Sequence, residues 1–301
     1  GQGFGCRIET INALEAWLGT HPGNAYANVR RPIVNSMNLS DMLPLATIWP
    51  GNEFNPSPEF PANSPALMYC ATDGSTPFRL NLHTGDIGHT LIFGPTGAGK
   101  STLLGIINAQ FRRYKNASIF AFDKGMSMFP LCKAAGGTHY EIAGDNSELA
   151  FAPLSNVDSD AEQAWAEEWI ETLVTLQGFV VLPAHRNAIH LAMNSIRNNP
   201  KDMRSLTDFY HFVQDEELRE AIKHYTNAGA MGHLLDAKTD GFGIENLMVF
   251  EIENLMNLGD KNLIPVLLYL FHCIEKSFKG QPSLLILDEA WIMLGHKVFR
   301  D

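Results

Sequence analysis

The chain has 301 residues, 45% of them hydrophobic, and 33 acidic against 22 basic residues give a formal net charge of -11. Such a length and apolar content suit one large or two modest globular domains with a sizeable core. The acidic balance argues against a broadly basic nucleic-acid surface, though not against a local basic groove or an inward-facing pore. The cysteines, Cys6, Cys70, Cys132 and Cys273, form no C-x-x-C pair, and no H-E-x-x-H occurs. Neither a disulfide framework nor a structural zinc is therefore expected, and scattered thiols suit a reducing cytosol. The longest apolar run, 263–274, contains Pro265 and His272. It is too short for a bilayer span and reads as a core helix. The chain starts at Gly1 rather than Met and ends at Asp301 inside what reads as a continuing element, so it is expected to be a piece of a longer protein.

Apolar residues at 8, 11, 14, 17 and 18 have helical spacing, and Gly19 stops the pattern. Residues 20–65 are rich in Pro, Asn, Gly and Ser and read as an irregular connector with one short helical patch at 39–43. We expect residues 1–65 to be the end of an N-terminal domain and its connector. Strand-like runs at 66–72 and 77–82 flank Asp73-Gly74, which predicts a hairpin whose second strand turns Phe78, Leu80 and Leu82 to one face.

The core then opens. Thr90-Leu91-Ile92-Phe93 reads as a buried strand, followed by Gly94-Pro95-Thr96-Gly97-Ala98-Gly99-Lys100-Ser101 and a helix running from Thr102 to about Arg113. The middle stretch matches G-x-x-x-x-G-K-[ST], the phosphate-binding loop. Its glycines let successive backbone N–H groups point at one spot, and the helix N-terminus adds partial positive charge there. Lys100 would reach the β- and γ-phosphates and the Ser101 hydroxyl would hold Mg²⁺, so that Mg·ATP sits on residues 94–102. A second strand at 118–123 ends in Asp123, a helix follows over 128–135, and a third strand covers 138–142. Alternating strands and helices predict an α/β fold with a mostly parallel sheet covered on both faces. Asp123 has two readings: near the γ-phosphate or attacking water, or a carboxylate capping the next helix or pairing with Lys124.

Residues 155–237 read as an all-helical insertion between core strands. Its first long helix reaches Leu176, with Trp165, Trp169, Leu173 and Leu176 on one buried face. Further helices are expected near 184–198, 205–213 and 215–227. No Lys or Arg occurs between Lys133 and Arg186, a span that includes Asp158, Asp160, Glu162, Glu167, Glu168 and Glu171. This acidic run reads as a solvated face, with docking of a basic partner as the alternative. His185 and His190 lack a third ligand, so no metal is assigned to them. The ATPase core is divided accordingly: a first portion over 66–154 and a second over 238–301. In the second portion a strand at 247–252 precedes a helix at 261–278, with Pro265 placed in its first turn. The run Ser283-Leu284-Leu285-Ile286-Leu287 then ends in Asp288-Glu289. A continuous apolar run reads as a strand buried on both faces of a parallel sheet, and its C-terminal end is where open α/β sheets bind ligands. Asp288 would hold Mg²⁺. Glu289 would orient and polarise the water that attacks the γ-phosphate, as hydrolysis requires.

The stretch Pro77-Phe78-Arg79-Leu80-Asn81-Leu82-His83, then Gly88-His89-Thr90 running into the phosphate loop, resembles the VirB4/TrbE ATPases of type IV secretion and conjugation systems. Phe122-Asp123-Lys124-Gly125 and Asp288-Glu289-Ala290-Trp291 are similar to the same family, and so is the connector carrying Arg31-Pro32 and Asn35-Ser36. The resemblance implies a RecA-like P-loop NTPase core with a helical insertion. It also implies a cytoplasmic ATPase docked at the bacterial inner membrane beside other secretion subunits, oligomeric and often hexameric, which energises pilus assembly and substrate transfer. In that family a glutamine-bearing strand motif and arginine motifs follow the acidic strand, and no residue here inherits them. One rival is a DNA-pumping coupling ATPase of the same superfamily, against which the acidic balance counts. Another is a nucleotide-gated scaffold with negligible turnover, against which Glu289 counts.

Overall fold

The computed structural model describes residues 10–21, 24, 36–37, 49–145, 147–291 and 296–299. The chain divides into two compact units, Gly1–Trp49 and Pro50–Asp301. In the first, α1 (Ala13–Leu18) occupies the later portion of the helix expected from the apolar spacing, and Gly19 is its C-cap. The short helix expected at 39–43 and the junction residues Arg31, Pro32 and Asn35 lie outside the described residues.

The second unit begins with the expected hairpin. β1 (Met68–Cys70) pairs antiparallel with β2 (Phe78–Leu80), Tyr69 opposite Arg79. Residues 90–93 do not form the expected strand. Leu91 is 62% and Phe93 86% exposed, and the segment enters no ladder among the described residues. An apolar run becomes a strand only where a neighbour takes its backbone groups, and none does here. Helix α2 (Lys100–Phe111) follows the glycine-rich loop, then β3 (Ser118–Asp123), α3 (Phe129–Ala134) and β4 (Thr138–Glu141). Helices α4 (Asp160–Leu176), α5 (Pro183–Arg197), α6 (Leu206–Phe212), α7 (Glu216–Lys223) and α8 (Gly232–Leu235) come next. The chain returns through β5 (Leu247–Glu251), α9 (Glu253–Asn257), α10 (Asp260–Ser277) and β6 (Ser283–Leu287).

Strands β3 to β6 make one parallel sheet in the order β4-β5-β3-β6. The period of two along each strand sorts the side chains into two cores. Phe120, Phe122, Met248 and Phe250 join the helices α4 to α8 and α10 on one face. Phe250 stacks between Phe122 and Tyr140, with ring centroids 5.2 and 5.7 Å apart. On the other face Ile119 and Leu247 meet Ile107 and Phe111 of α2 and Leu67 and Met68 of the hairpin. Beside them Ala121, Val249 and Ile286 pack with Met128 and Cys132, and Leu104 closes over that cluster.

Two expectations for this sheet need correction. β6 is an edge strand rather than one buried on both faces, and Leu285 is 42% exposed. Pro265 lies inside α10, beyond its first turn. Proline has no N–H for the carbonyl four residues earlier, and the hydroxyl of buried Tyr225 donates to that carbonyl, Lys261 O, at 2.8 Å. The helix is thus completed from outside.

Side-chain caps start three helices of the helical layer. Ser159 accepts from Glu162 N, Ser205 shares a capping box with Asp208, and Asp215 accepts from Leu218 N. The acidic run is largely answered by bases from later in the chain. Arg186 pairs with Glu171, Arg197 with Asp160, Lys201 and Arg204 with Asp158, and His272 and Lys276 with Glu162. His190 bonds Glu167 at 2.9 Å and His185 lies 3.9 Å from Asp215. Among the described residues no group of three or more His, Cys, Asp or Glu could hold a metal, and no helix is long and apolar enough to cross a membrane.

Candidate active site

Parallel strands bring their C-terminal ends to one edge of the sheet, and here each delivers a carboxylate. Glu141 lies opposite Glu251 and Glu251 opposite Asp123, while Asp288 N donates to Phe122 O at 2.9 Å. Three of the four carboxylates serve the fold. Glu141 accepts from Asn254 Nδ2 at 2.9 Å. Asp123, fully buried, accepts from the Ser127 hydroxyl and from Met128 N at 2.7 Å, which is the geometry of a cap on the turn into α3. Glu251, 2% exposed, accepts from the backbone N–H groups of Gly125, Met126 and Glu253. Sequence reasoning passed over Glu251, although an acidic residue closing an apolar strand is the same signal that singled out Asp123 and Asp288.

Asp288 is the exception. No side-chain donor reaches it among the described residues. Desolvation by burial and the nearby charges of Asp123 and Glu289 push its pKa up, against the backbone N–H of Glu289 and the charge of Lys100. Leu104 of α2, the helix that follows the phosphate loop, packs on the cluster that contains Ile286 of the acidic strand, so the two stretches, far apart in sequence, belong to neighbouring elements. Glu289 follows with φ +61°, left-handed backbone that a non-glycine residue adopts only when its surroundings hold it there. Its Oε1 lies 3.6 Å from Lys124 Nζ, and the Trp291 indole N–H donates to Oε2. Lys124 is therefore the partner of Glu289 and not of Asp123.

Residues Gly94, Pro95, Thr96, Gly97, Ala98 and Gly99 form an exposed loop. Gly97 and Gly99 have φ of +81° and +85°. An added Cβ would meet nothing within 4 Å at either position, so left-handed backbone, not space, is what calls for glycine. Gly99 is also the N-cap of α2 and supplies no side-chain bond, so the first-turn N–H groups, including those of Ser101 and Thr102, face the loop without a capping partner. Lys100 Nζ donates to the carbonyls of Gly94 and Pro95 at 2.9 and 3.0 Å. The donor set fits a magnesium nucleotide. Backbone N–H groups and an ammonium suit phosphate, and a hydroxyl with an under-satisfied carboxylate suits a hard cation.

Two curated relatives align over nearly the whole chain. It is 57% identical over 303 residues to a probable conjugal transfer protein TrbE of Sinorhizobium fredii, covering 99% of this chain and 45% of that protein. It is 54% identical over 306 residues to the conjugal transfer protein TrbE of Rhizobium radiobacter, covering 100% and 37%. The chain belongs to the VirB4/TrbE family. Similarity extends at 23% identity over 299 residues to the type IV secretion system protein virB4 of Bartonella quintana, covering 97% of this chain and 37% of that one. Among solved structures, VirB4 of Thermoanaerobacter pseudethanolicus matches with a TM-score of 0.53 at 18% identity, over 66% of this chain and 59% of that chain. That match and the parallel sheet make the fold α/β with a RecA-like core. No protein-family model matches the chain. It spans under half the length of these two TrbE proteins.

Proposed function

We propose that this VirB4/TrbE chain carries the nucleotide-binding and water-activating elements of an ATPase that energises conjugal transfer through a type IV secretion apparatus. The observation that supports the reading is the packing of α2, which follows the phosphate loop, on the cluster containing Ile286 of β6, the strand that ends in Asp288 and Glu289. The loop glycines, the first-turn N–H groups of α2 and Thr102 bind and orient the phosphates. Lys100 leaves the carbonyls of Gly94 and Pro95 to reach the β- and γ-phosphates. Ser101 and Asp288 would hold Mg²⁺, which would supply charge neutralisation at the phosphates. Glu289 orients a water for attack on the γ-phosphorus and takes up its proton as the bond to the β–γ bridging oxygen breaks.

The cellular setting is the one family membership suggests: a cytoplasmic motor at the inner membrane, hexameric, contacting other secretion subunits. The formal charge of -11 speaks against DNA as its direct substrate. The test is ATP hydrolysis by the full-length protein, with and without DNA. Lys100→Ala abolishes turnover, whereas Glu289→Gln keeps nucleotide binding and loses hydrolysis. Full activity in Lys100→Ala would overturn the assignment, and strong stimulation by DNA would favour a DNA-pumping role instead.

A further inference from the structure

The ion pair between Lys124 and Glu289 lies outside the reaction just described. Lys124 sits on a loop fixed from the neighbouring strand, because Glu251 accepts from Gly125 N and Met126 N, and both residues have positive φ, +80° and +59°. The ammonium is thus presented to β6 by a rigid mount. Glu289 meets it with both oxygens engaged, one by Lys124 and one by Trp291. A water that is to be held by this carboxylate must compete with a contact already made at each oxygen. The two side chains are only 34% and 35% exposed, so the pair is partly shielded yet still reached by solvent, and breaking it is cheap.

We propose that Lys124 is a positioning residue that latches Glu289 away from its water-activating arrangement, and that engagement of ATP requires Glu289 to exchange Lys124 for the attacking water. The inference rests on the ATPase reading. It goes beyond that reading by making turnover depend on a contact between adjacent strand ends, which a partner binding near residues 124–128 could release.

The test uses the full-length protein with Lys124→Met, which keeps the stem and removes the charge, and Lys124→Arg, which keeps the charge. One readout is steady-state kcat and KM for ATP. The other is equilibrium affinity for a fluorescent non-hydrolysable ATP analogue and for ADP. A restraint that must break on engagement taxes only the engaged state, so Lys124→Met is expected to raise kcat and tighten the analogue by about two- to fivefold. ADP affinity stays at the wild-type value, and Lys124→Arg behaves as wild type in both readouts. A slower Lys124→Met enzyme would show that Lys124 assists the chemistry, and the latch falls. Unchanged rate and unchanged analogue affinity also remove the latch while leaving the ATPase reading intact. Absence of any nucleotide binding by the wild-type protein overturns both readings together.

Discussion

Replacing Tyr225 with Phe should destabilise the second unit far more than loss of one hydroxyl suggests. Tyr225 is fully buried, and burial pushes its pKa up to about 12. Its hydroxyl donates to Lys261 O at 2.8 Å and accepts from Gln177 Nε2 at 3.0 Å. In an uninterrupted helix the N–H of residue 265 would bond that carbonyl, but Pro265 has none. Phe at 225 therefore leaves a helix carbonyl without a donor and frees the Gln177 amide. Lys261 is itself exposed, but its carbonyl faces fully buried Tyr225; a polar group orphaned there costs about 1–3 kcal/mol, and Gln177 is partly exposed and can turn to water, so we expect a loss near 2 kcal/mol. For a unit of this size that is roughly a 4–8 °C fall in Tm. Urea unfolding followed by far-UV circular dichroism measures it as a lower midpoint at constant slope. A double-mutant cycle isolates the cause. Pro265→Ala restores the missing N–H, so Tyr225→Phe should cost about 1 kcal/mol less in that background. A cost below about 0.5 kcal/mol for Tyr225→Phe alone, or strict additivity with Pro265→Ala, would refute the account.

Glu251→Ala removes the acceptor for three backbone N–H groups and is expected to cost about 3 kcal/mol or more, read as a lower urea midpoint and faster proteolysis at residues 124–128. Gly99→Ala forces a Cβ into left-handed backbone at a cost of about 1 kcal/mol, and since open space surrounds the site, the loss should fall on nucleotide affinity more than on unfolding midpoint. Arg204 and Lys201 hold the Asp158 carboxyl at about 2, well below the usual carboxylate range. A depressed carboxyl stabilises above its unfolded value and loses that contribution as pH falls through its folded value. The contacts joining residues 158, 201 and 204 should therefore loosen between about pH 4 and 2, and Arg204→Met should abolish that acid step in near-UV circular dichroism.

The parallel strands were legible because burial on both faces writes a continuous apolar run, as in 118–123 and 247–251, and the helices of 160–223 because amphipathic spacing and caps agree. Strand order was not legible. That β5 lies between β4 and β3 depends on which helices cover which face, and no local pattern carries it. The same gap explains two misplaced expectations. Residues 90–93 and 283–287 are equally apolar, yet only the second finds a ladder partner among the described residues, and it finds one on a single side. Asp123, Asp288 and Glu289 stand out in sequence as acidic ends of apolar runs. What divides them is their neighbours: Met128 N donates to the first, no side-chain donor reaches the second among the described residues, and Lys124 pairs with the third.

With 90–93 outside the sheet, something other than a strand must set the phosphate loop at the height of the acidic pair. Helix α2 does so. Leu104 packs on the cluster that contains Ile286. Lys100 stands four residues before Leu104, a rise of ~6 Å along a helix. Asp288 stands two residues past Ile286, an advance of ~6.6 Å along a strand. Counted from that packing, the backbones of Lys100 and Asp288 are therefore displaced by similar amounts, each along its own element. The apolar contact of α2 with the Ile286 cluster thus sets the height of the loop relative to β6. Ile107 and Phe111, buried one and two turns further along α2, keep the helix from pivoting about it.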